Sequence, residues 1–285
     1  MKLDGRPIVY TTLALLAFAG NSILCRMALG RAAIDAATFS TIRFGAGAAM
    51  LVLVMAFMRA GALDTSGSWT SAVILFLYAV PFSFAYVSLN TGTGALILFG
   101  AVQVTMMLAA LWSGERPHPL QWLGLGLALG GLIYLVLPGL AAPSAIGSAL
   151  MALAGVSWGV YSMRGRGIAN PLAQTTSNFV RAVPLVIAVS LLARAQAHVT
   201  WRGALLALAS GALTTGLGYV LWYSALKRVT ATRAAVVQLT VPVLAAAGGV
   251  IFLGETISSR LVVSAMIVLG GISLALVGRE RREAH

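Results

Sequence analysis

Long runs of apolar residues, separated by short polar or charged stretches, make up most of the chain. A helix that crosses the ~30 Å hydrocarbon core of a membrane needs about 20 residues. The runs are of that length and lie at 8–25, 36–58, 70–89, 93–112, 120–140, 143–163, 172–193, 203–226, 232–253 and 260–278. Segments 36–58 and 120–137 are apolar on every face, unlike the alternating strands of a β-barrel. The pattern predicts an all-α membrane protein with ten transmembrane helices.

Composition agrees with this prediction. Of the 285 residues, 59% are hydrophobic and only 9% are charged, whereas about a quarter of the residues in a soluble protein are charged. The single cysteine, Cys25, cannot form an intramolecular disulfide, and no Cys/His cluster suggests a metal site. We therefore expect no metal and no cofactor, membrane lipids as neighbours, and no nucleic-acid partner. The sequence leaves a monomer and a homodimer open.

The net charge of +12 is informative about topology. If the N-terminus lies inside, the inner connections hold twelve Lys and Arg residues and the outer connections five. This bias places both termini in the cytoplasm by the positive-inside rule. The first apolar run continues past Asn21 and Ser22, so we expect an uncleaved helix and not a signal peptide.

The second half of the sequence repeats the first. Residues 17–22 resemble 152–157, residues 86–89 resemble 223–226, and Gly114-Glu115 is matched by Gly254-Glu255. We predict a first repeat over 1–141 and a second over 142–285, together one transport domain. Each repeat has five spans, and because five is odd the repeats must have opposite orientations in the membrane. Inverted repeats are typical of carriers that work by alternating access.

Ten spans in two units, the two Gly-Glu pairs and the motif Gln238-Leu-Thr-Val-Pro242 resemble EamA-like members of the drug/metabolite transporter superfamily. The resemblance covers nearly the whole chain and is greatest to the YddG-type exporters of aromatic amino acids and paraquat. It implies a bacterial inner-membrane exporter of amino acids or similar metabolites, with a cavity lined by helices 1, 3, 4, 6, 8 and 9. One departure is that the first repeat has Phe99-Gly-Ala-Val-Gln103 where the second has the Pro242 motif.

The positions of the acidic residues bear on energy coupling. All seven carboxylates fall at span ends or in connections, whereas proton-coupled pumps usually place one within the membrane. Cationic-drug exporters of the superfamily likewise use a glutamate in the first helix, where this chain has Asn21 and Ser22. We favour facilitated diffusion or exchange. Proton coupling through Glu115 or Glu255 is the alternative, and both can also be helix-end carboxylates near free backbone amides.

Two arginines and a proline fall inside predicted spans. Arg43 and Arg181 occupy matching positions of the two repeats. Each either reaches an interface or caps carbonyl groups, or else forms a gate or a contact to a substrate carboxylate. Pro242 is expected to bend its span. The pairs Gly45 with Ala49, Gly126 with Gly130, and Gly249 with Ala245 have the spacing that allows close helix packing.

Aromatic and polar residues recur along the faces of several predicted spans. In span three, Tyr78, Phe82 and Tyr86 recur every four residues and form one stripe. Hydroxyl, indole and amide groups need partners in a membrane, so these residues line either a cavity or a helix contact. The predicted substrate-binding set is Asn21, Tyr78, Phe82, Tyr86, Gln103, Ser157, Trp158, Thr215, Tyr219 and Gln238.

We predict that the protein is not an enzyme. The three histidines are scattered, and neither a Gly-x-Ser-x-Gly motif nor an ATP-binding phosphate loop is present in the sequence. The favoured function is a secondary transporter that exports aromatic or other amino acids, or similar small metabolites. The alternatives are a proton-coupled drug/metabolite efflux carrier, an uptake carrier, a scaffolding protein and, in another class, a membrane-embedded enzyme acting on lipid-like substrates.

Overall fold

The fold consists of long helices joined by short connections. A computed structural model describes residues 6–58, 67–112, 119–139, 142–165, 168–226 and 237–283. The first five helices are α1 (Arg6–Leu29), α2 (Ala36–Phe57), α3 (Trp69–Ala85), α4 (Thr91–Trp112) and α5 (Pro119–Val136). Helices α6 (Ala145–Arg164) and α7 (Pro171–Leu192) follow, and then a single 3₁₀ turn, Arg194–Gln196.

The eighth long element changes its helix type partway along. It consists of Trp201–Ala209, the π-helical segment Ser210–Leu217 and Gly218–Leu226, which we label together α8. Helices α9 (Thr240–Leu253) and α10 (Ser259–Glu283) complete the described fold.

The helical class predicted from the sequence is confirmed for the described residues, in which β-structure is limited to one isolated bridge between Ile34 and Val199. Eight of the helices are long and apolar enough to cross a membrane. The other two, Trp69–Ala85 and Thr240–Leu253, are apolar but shorter. The count of ten spans therefore remains a prediction.

Side-chain caps set the starts of several helices, because the first turn of a helix leaves backbone N–H groups without partners. The Asp35 carboxylate accepts from the Thr38 N–H at the start of α2. Four other helices have caps of the same kind. The Ser68 hydroxyl caps α3, the Ser144 hydroxyl caps α6, the Asn170 side chain caps α7 and the Thr200 hydroxyl caps α8.

The helices of the two halves are intermixed. Helices α2, α4 and α5 pack against α7, α9 and α10, which occupy the same places in the second half. Helix α6 of the second half packs against α3 and α4 of the first half. In the same way, its counterpart α1 packs against α8 and α9, the counterparts of α3 and α4. Exchanging the halves therefore reproduces the most extensive helix contacts.

At one end of the bundle, the α1–α2 connection is bound to the segment that leads into α8. The Asp35 carboxylate accepts from the His198 backbone N–H at 3.0 Å, and the Asp35 N–H donates to the His198 carbonyl at 3.0 Å. Partial burial alone would raise the pKa of Asp35, but hydrogen bonds from Thr38 and His198 outweigh it and lower the pKa below its usual value. The carboxylate is therefore held in its ionised form.

Only some of the glycines predicted to make close helix contacts do so. A Cβ added at Gly249 would overlap the Glu255 carboxylate. A Cβ added at Gly45, Gly126 or Gly130 would meet nothing within 4 Å, so the predicted close contacts of these glycines are absent. Other glycines bring the helices together, and at Gly211 a Cβ would overlap the backbone carbonyl oxygen of Arg43. The four-residue spacing identified small residues but not which face of the helix meets a neighbour.

Candidate functional site

A narrow internal cavity lies where helices of both halves meet. The space open to the centres of water molecules is about 30 Å³, which accommodates a few waters rather than an amino acid. Helices α1, α3, α4, α6 and α8 supply the lining residues, which are Phe18, Asn21, Ser22, Tyr78, Phe82, Leu98, Phe99, Trp158, Thr214, Thr215 and Tyr219. A ligand the size of an amino acid therefore requires these side chains to move apart.

Packed aromatic rings form one wall of the cavity. The Trp158 ring centroid lies 5.1 Å from that of Tyr78 and 5.2 Å from that of Tyr219. Tyr78 in turn packs on Phe82 with a centroid separation of 5.6 Å. Rings at these separations attract one another and present a large, rigid apolar surface. Such a wall suits the body of an apolar or aromatic ligand.

The polar part of the cavity is formed by α1 and the π-helical segment of α8. The Asn21 side-chain oxygen accepts from the Ser210 hydroxyl at 2.8 Å and from the Thr214 hydroxyl at 3.3 Å. These bonds leave the Asn21 amide N–H groups to bind other partners. The wider turn of a π-helix changes the side-chain register, and both Thr214 and Thr215 line the cavity.

Arg43 lies directly behind the cavity wall and is completely buried. Its Nη2 donates to the Tyr78 hydroxyl at 3.2 Å, and its Nε donates to the Thr215 hydroxyl at 3.5 Å. The guanidinium carbon lies 4.7 Å from the centre of the Phe82 ring. Nη1 is buried and has no hydrogen-bond partner.

Arg181, at the matching position of the second repeat, has different surroundings. Its side chain is half-buried and turns back on its own helix, where Nη1 donates to the Ser177 carbonyl at 3.3 Å and to the Ser177 hydroxyl. Of the two interpretations of these arginines, carbonyl capping describes Arg181 and does not describe Arg43.

Contacts around Arg26 lie at one end of the cavity, one helical turn beyond the lining residues Ser22 and Phe82. The Arg26 Nε lies 3.1 Å from Oε1 of Glu255, and the Arg26 Nη1 donates to the carbonyls of Tyr86 and Val87 at 3.0 Å each. The second Glu255 oxygen accepts from the Thr91 N–H at 2.8 Å, at the start of α4. Glu255 is therefore a helix-end carboxylate, as one of the two interpretations expected, but the amide belongs to another helix. We call Arg26, Tyr86, Val87, Thr91 and Glu255 the Arg26 cluster.

Six of the ten residues predicted to bind substrate line the cavity together: Asn21, Tyr78, Phe82, Trp158, Thr215 and Tyr219. The other four lie outside the lining. Tyr86 is fully buried one helical turn beyond Phe82, and its hydroxyl lies 3.4 Å from the Thr91 carbonyl. Gln103 and Ser157 are buried elsewhere, and Gln238 is half-buried.

Pro242 lies in the first turn of α9. It has no N–H to donate to the carbonyl of Gln238 four residues earlier, and the helix is interrupted at Leu239 between them. The expected disturbance of the span is present as a break before the proline and not as a bend at mid-helix.

Sequence reasoning did not include five lining residues: Phe18, Ser22, Leu98, Phe99 and Thr214. Ser22 and Phe99 stood in motifs that had been noted for other reasons. Leu98 and Phe18 carry no polar group, so nothing in the sequence distinguishes them from packing residues. Glu115, the other candidate for coupling, lies outside the described residues.

No group of three or more His, Cys, Asp or Glu side chains within the described ranges could hold a metal ion. The cavity lining itself includes neither an acid nor a histidine. Its chemistry is that of a binding site with apolar walls and a few hydrogen-bonding groups.

Comparison with known proteins shows that the two halves match the same family model. The model of the EamA-like transporter family matches the chain twice, over residues 5–137 and over residues 145–277. The chain belongs to the EamA-like transporter family. The family resemblance seen in the sequence is thereby confirmed, while the finer placement among the YddG-type exporters stays a prediction.

Relatives of this EamA-like transporter include several bacterial proteins. An uncharacterized protein of Pseudomonas aeruginosa is 50% identical over 99% of this chain and 98% of its own length. The threonine/homoserine exporter RhtA of Escherichia coli K12 is 31% identical over 62% of this chain and 60% of its own. A probable amino-acid metabolite efflux pump of Salmonella typhimurium is 27% identical over 68% and 70%, respectively.

A solved crystal structure has the same overall fold as this EamA-like transporter. It aligns with a TM-score of 0.64 at 19% sequence identity and covers 94% of this chain and 97% of the other. The family and the names of its relatives indicate a multi-pass membrane transporter of small molecules, a class of protein distinct from enzymes.

Proposed function

We propose that this EamA-like transporter exports amino acids or closely related metabolites across the bacterial inner membrane. The observation that carries the proposal is the cavity between the two halves, in which aromatic walls surround a few hydrogen-bonding groups. Pockets of this composition bind small amphipathic molecules. The names of RhtA and of the Salmonella efflux pump support amino acids as the substrate class.

The two repeats have opposite orientations and move by alternating access. The exchange-symmetric helix contacts support a twofold relation between the halves, and five helices per half make that relation an inversion. The charge bias of the connections supports cytoplasmic termini. With this orientation, the Arg26 cluster lies on the outer face and closes it in the conformation described here.

Substrate enters when the rings separate. Tyr78, Phe82, Trp158 and Tyr219 contact the apolar body of the substrate, while Asn21 and Thr215 bind its polar groups. Ser157, Gln103 and Gln238 lie outside the closed cavity and act only if the helices rearrange. Tyr86 belongs to the outer closure, where its carbonyl binds Arg26.

Transport is facilitated diffusion or exchange. The support is that the cavity lining contains no carboxylate to carry a proton alongside the substrate. Proton coupling stays the second candidate because Glu255 is ion-paired with Arg26 in the outer closure. Protonation of Glu255 would remove that ion pair and favour opening.

The deciding experiment is transport by the purified protein in liposomes, with a panel of labelled amino acids and with or without an imposed proton gradient. We expect movement down a substrate gradient alone. Trp158→Ala should change the ratio of aromatic to small amino acids, because it removes part of the cavity wall. The matched control is Trp122→Ala, on the exposed side of α5, which should leave the ratio unchanged.

Absence of transport for every amino acid in the panel would overturn the substrate class. A strict requirement for a proton gradient, abolished by Glu255→Gln, would favour the coupled carrier instead. Equal loss for all substrates in Trp158→Ala, in proportion to protein yield, would assign Trp158 to helix packing.

A further inference from the structure

Arg43 is a buried positive charge without a carboxylate partner in the described part of the chain. Two carboxylates have side chains that the structure describes, and both already have partners. Asp35 accepts from Thr38 and His198, and Glu255 binds Arg26 and Thr91. Arginine keeps its charge in proteins, and placing that charge within a membrane is costly. A compensating anion would therefore stabilise the Arg43 site.

The two hydroxyls that contact Arg43 connect it to the cavity. Tyr78 and Thr215 each accept a hydrogen bond from the guanidinium, and both line the cavity. A hydroxyl that accepts a hydrogen bond keeps its own proton to donate. The cavity wall at this point therefore offers two O–H donors with a positive charge behind them. Nη1 of the same guanidinium is buried and has no hydrogen-bond partner.

This arrangement is complementary to a carboxylate, which accepts hydrogen bonds at two oxygens and carries negative charge. It is unfavourable to a cation, which the guanidinium would repel across a short distance of low dielectric. The Phe82 ring beside the guanidinium gives some cation–π stabilisation. That contact supplies no hydrogen-bond acceptor for Nη1.

We propose that Arg43, acting with the Tyr78 and Thr215 hydroxyls, binds the carboxylate of the substrate and selects carboxylate-bearing molecules over amines and other cations. The inference rests on the proposed function and names the substrate class more narrowly. It sets this transporter apart from carriers of organic cations. Arg181, the counterpart of Arg43 in the second repeat, binds its own helix instead.

The test compares pairs of molecules that differ by the carboxylate. The purified protein in liposomes is given L-phenylalanine or phenethylamine, and L-threonine or 1-amino-2-propanol, and kcat/KM is measured for each. Wild type should prefer each amino acid to its amine by at least about tenfold. Arg43→Gln should lower that ratio by about tenfold or more, since bonds to charged groups are lost. Arg43→Lys should restore part of it.

Tyr78→Phe and Thr215→Val give the second measurement, because each removes a hydroxyl and keeps most of the side-chain volume. Each should lower the amino acid to amine ratio several-fold, which decides the matter if Arg43→Gln does not fold. Arg181→Gln is the matched control and should leave the ratio at the wild-type value.

The outcomes separate the two proposals. If wild type transports no amino acid in the full panel, the proposed function is overturned, and this inference with it. Transport of amino acids and amines at equal rates overturns only the inference. So does a ratio that stays unchanged in well-folded Arg43→Gln, or in both hydroxyl variants, because Arg43 would then serve helix packing alone.

Discussion

Nε of Arg26 lies 3.1 Å from Oε1 of Glu255, although 229 positions separate the two residues in sequence. The contact joins the last turn of α1 to the segment between α9 and α10, and Glu255 extends it to the start of α4. Both side chains are mostly buried, with 17% and 13% of their surfaces exposed. Elements of both repeats are thus tied together at the closed end of the cavity.

Removing this ion pair should open the closed end. The native Cys25 is fully buried beside Arg26 and is the single cysteine of the chain, so it reports access without further engineering. We expect Glu255→Gln or Arg26→Gln to speed maleimide labelling of Cys25 several-fold, as loss of about 1 kcal/mol in a partly buried pair implies. Arg31→Gln, an exposed cation near the same end, is the control. Labelling at the wild-type rate in both variants would show that the pair does not hold this end closed.

Asp35 should contribute pH-dependent stability. Its lowered pKa means that the ionised carboxylate is more stable in the folded state than in the unfolded state. The contribution is therefore present above the usual value of 3.8 and is lost as the pH falls through the lower folded-state pKa. Asp35→Ala should reduce the free energy of unfolding by roughly 1 kcal/mol at pH 7 and by less below pH 3.8.

Differential unfolding in detergent across this pH range measures the effect. Ser144→Ala is the matched control, since Ser144 caps α6 with a neutral hydroxyl. Loss of this neutral cap should lower the free energy of unfolding by a similar amount at every pH. A deficit in Asp35→Ala that does not change with pH would mean that the charge plays no part.

Gly211→Ala should destabilise the protein strongly. The added Cβ would overlap the Arg43 carbonyl oxygen and force α8 away from α2. Overpacking of this kind costs about 1–3 kcal/mol or more. Gly45→Ala is the control on α2, where a Cβ would meet nothing within 4 Å. Thermal unfolding in detergent compares the two, and equal stability would contradict the close approach of the helices.

Labelling should place the connections alternately on the two faces of the membrane. Introduced cysteines near Arg59, Arg164 and Lys227 should react from the cytoplasm, and those near Asn90 and Arg194 from outside. The contacts between the α1–α2 connection and His198 already put two of the predicted outer segments at one end of the bundle. Detection of Met1 and His285 on opposite sides would contradict an even number of spans.

The helical class and much of the cavity could be predicted from the sequence, because both depend on local patterns. Apolar runs give helices wherever the membrane supplies no hydrogen-bonding partners. The four-residue recurrence of Tyr78 and Phe82 placed both on one face, and both line the cavity. Trp158 and Tyr219 were identified for a different reason, because indole and hydroxyl groups need partners within a membrane.

Other features depend on contacts that no local pattern records. Arg43 and Arg181 are equivalent in the repeat, yet one lies behind the cavity and the other caps its own helix. The difference comes from neighbours on other helices, Tyr78 and Thr215. Likewise, the ion pair of Glu255 with Arg26 required the three-dimensional approach of α1 and the α9–α10 segment.

The two counterparts α3 and α8 are unequal in length, which makes the halves of the carrier thermodynamically unequal. Helix α3 has 17 residues, whereas α8 has segments of 9, 8 and 9, with the π-helical one in the middle. Under the proposed alternating access, exchanging the roles of the halves would produce a conformation of different free energy, so one orientation would predominate at rest. Such a resting preference gives unequal half-saturation concentrations on the two sides of the membrane. It cannot accumulate substrate against a gradient, because without an energy source the net flux still vanishes when the two concentrations are equal.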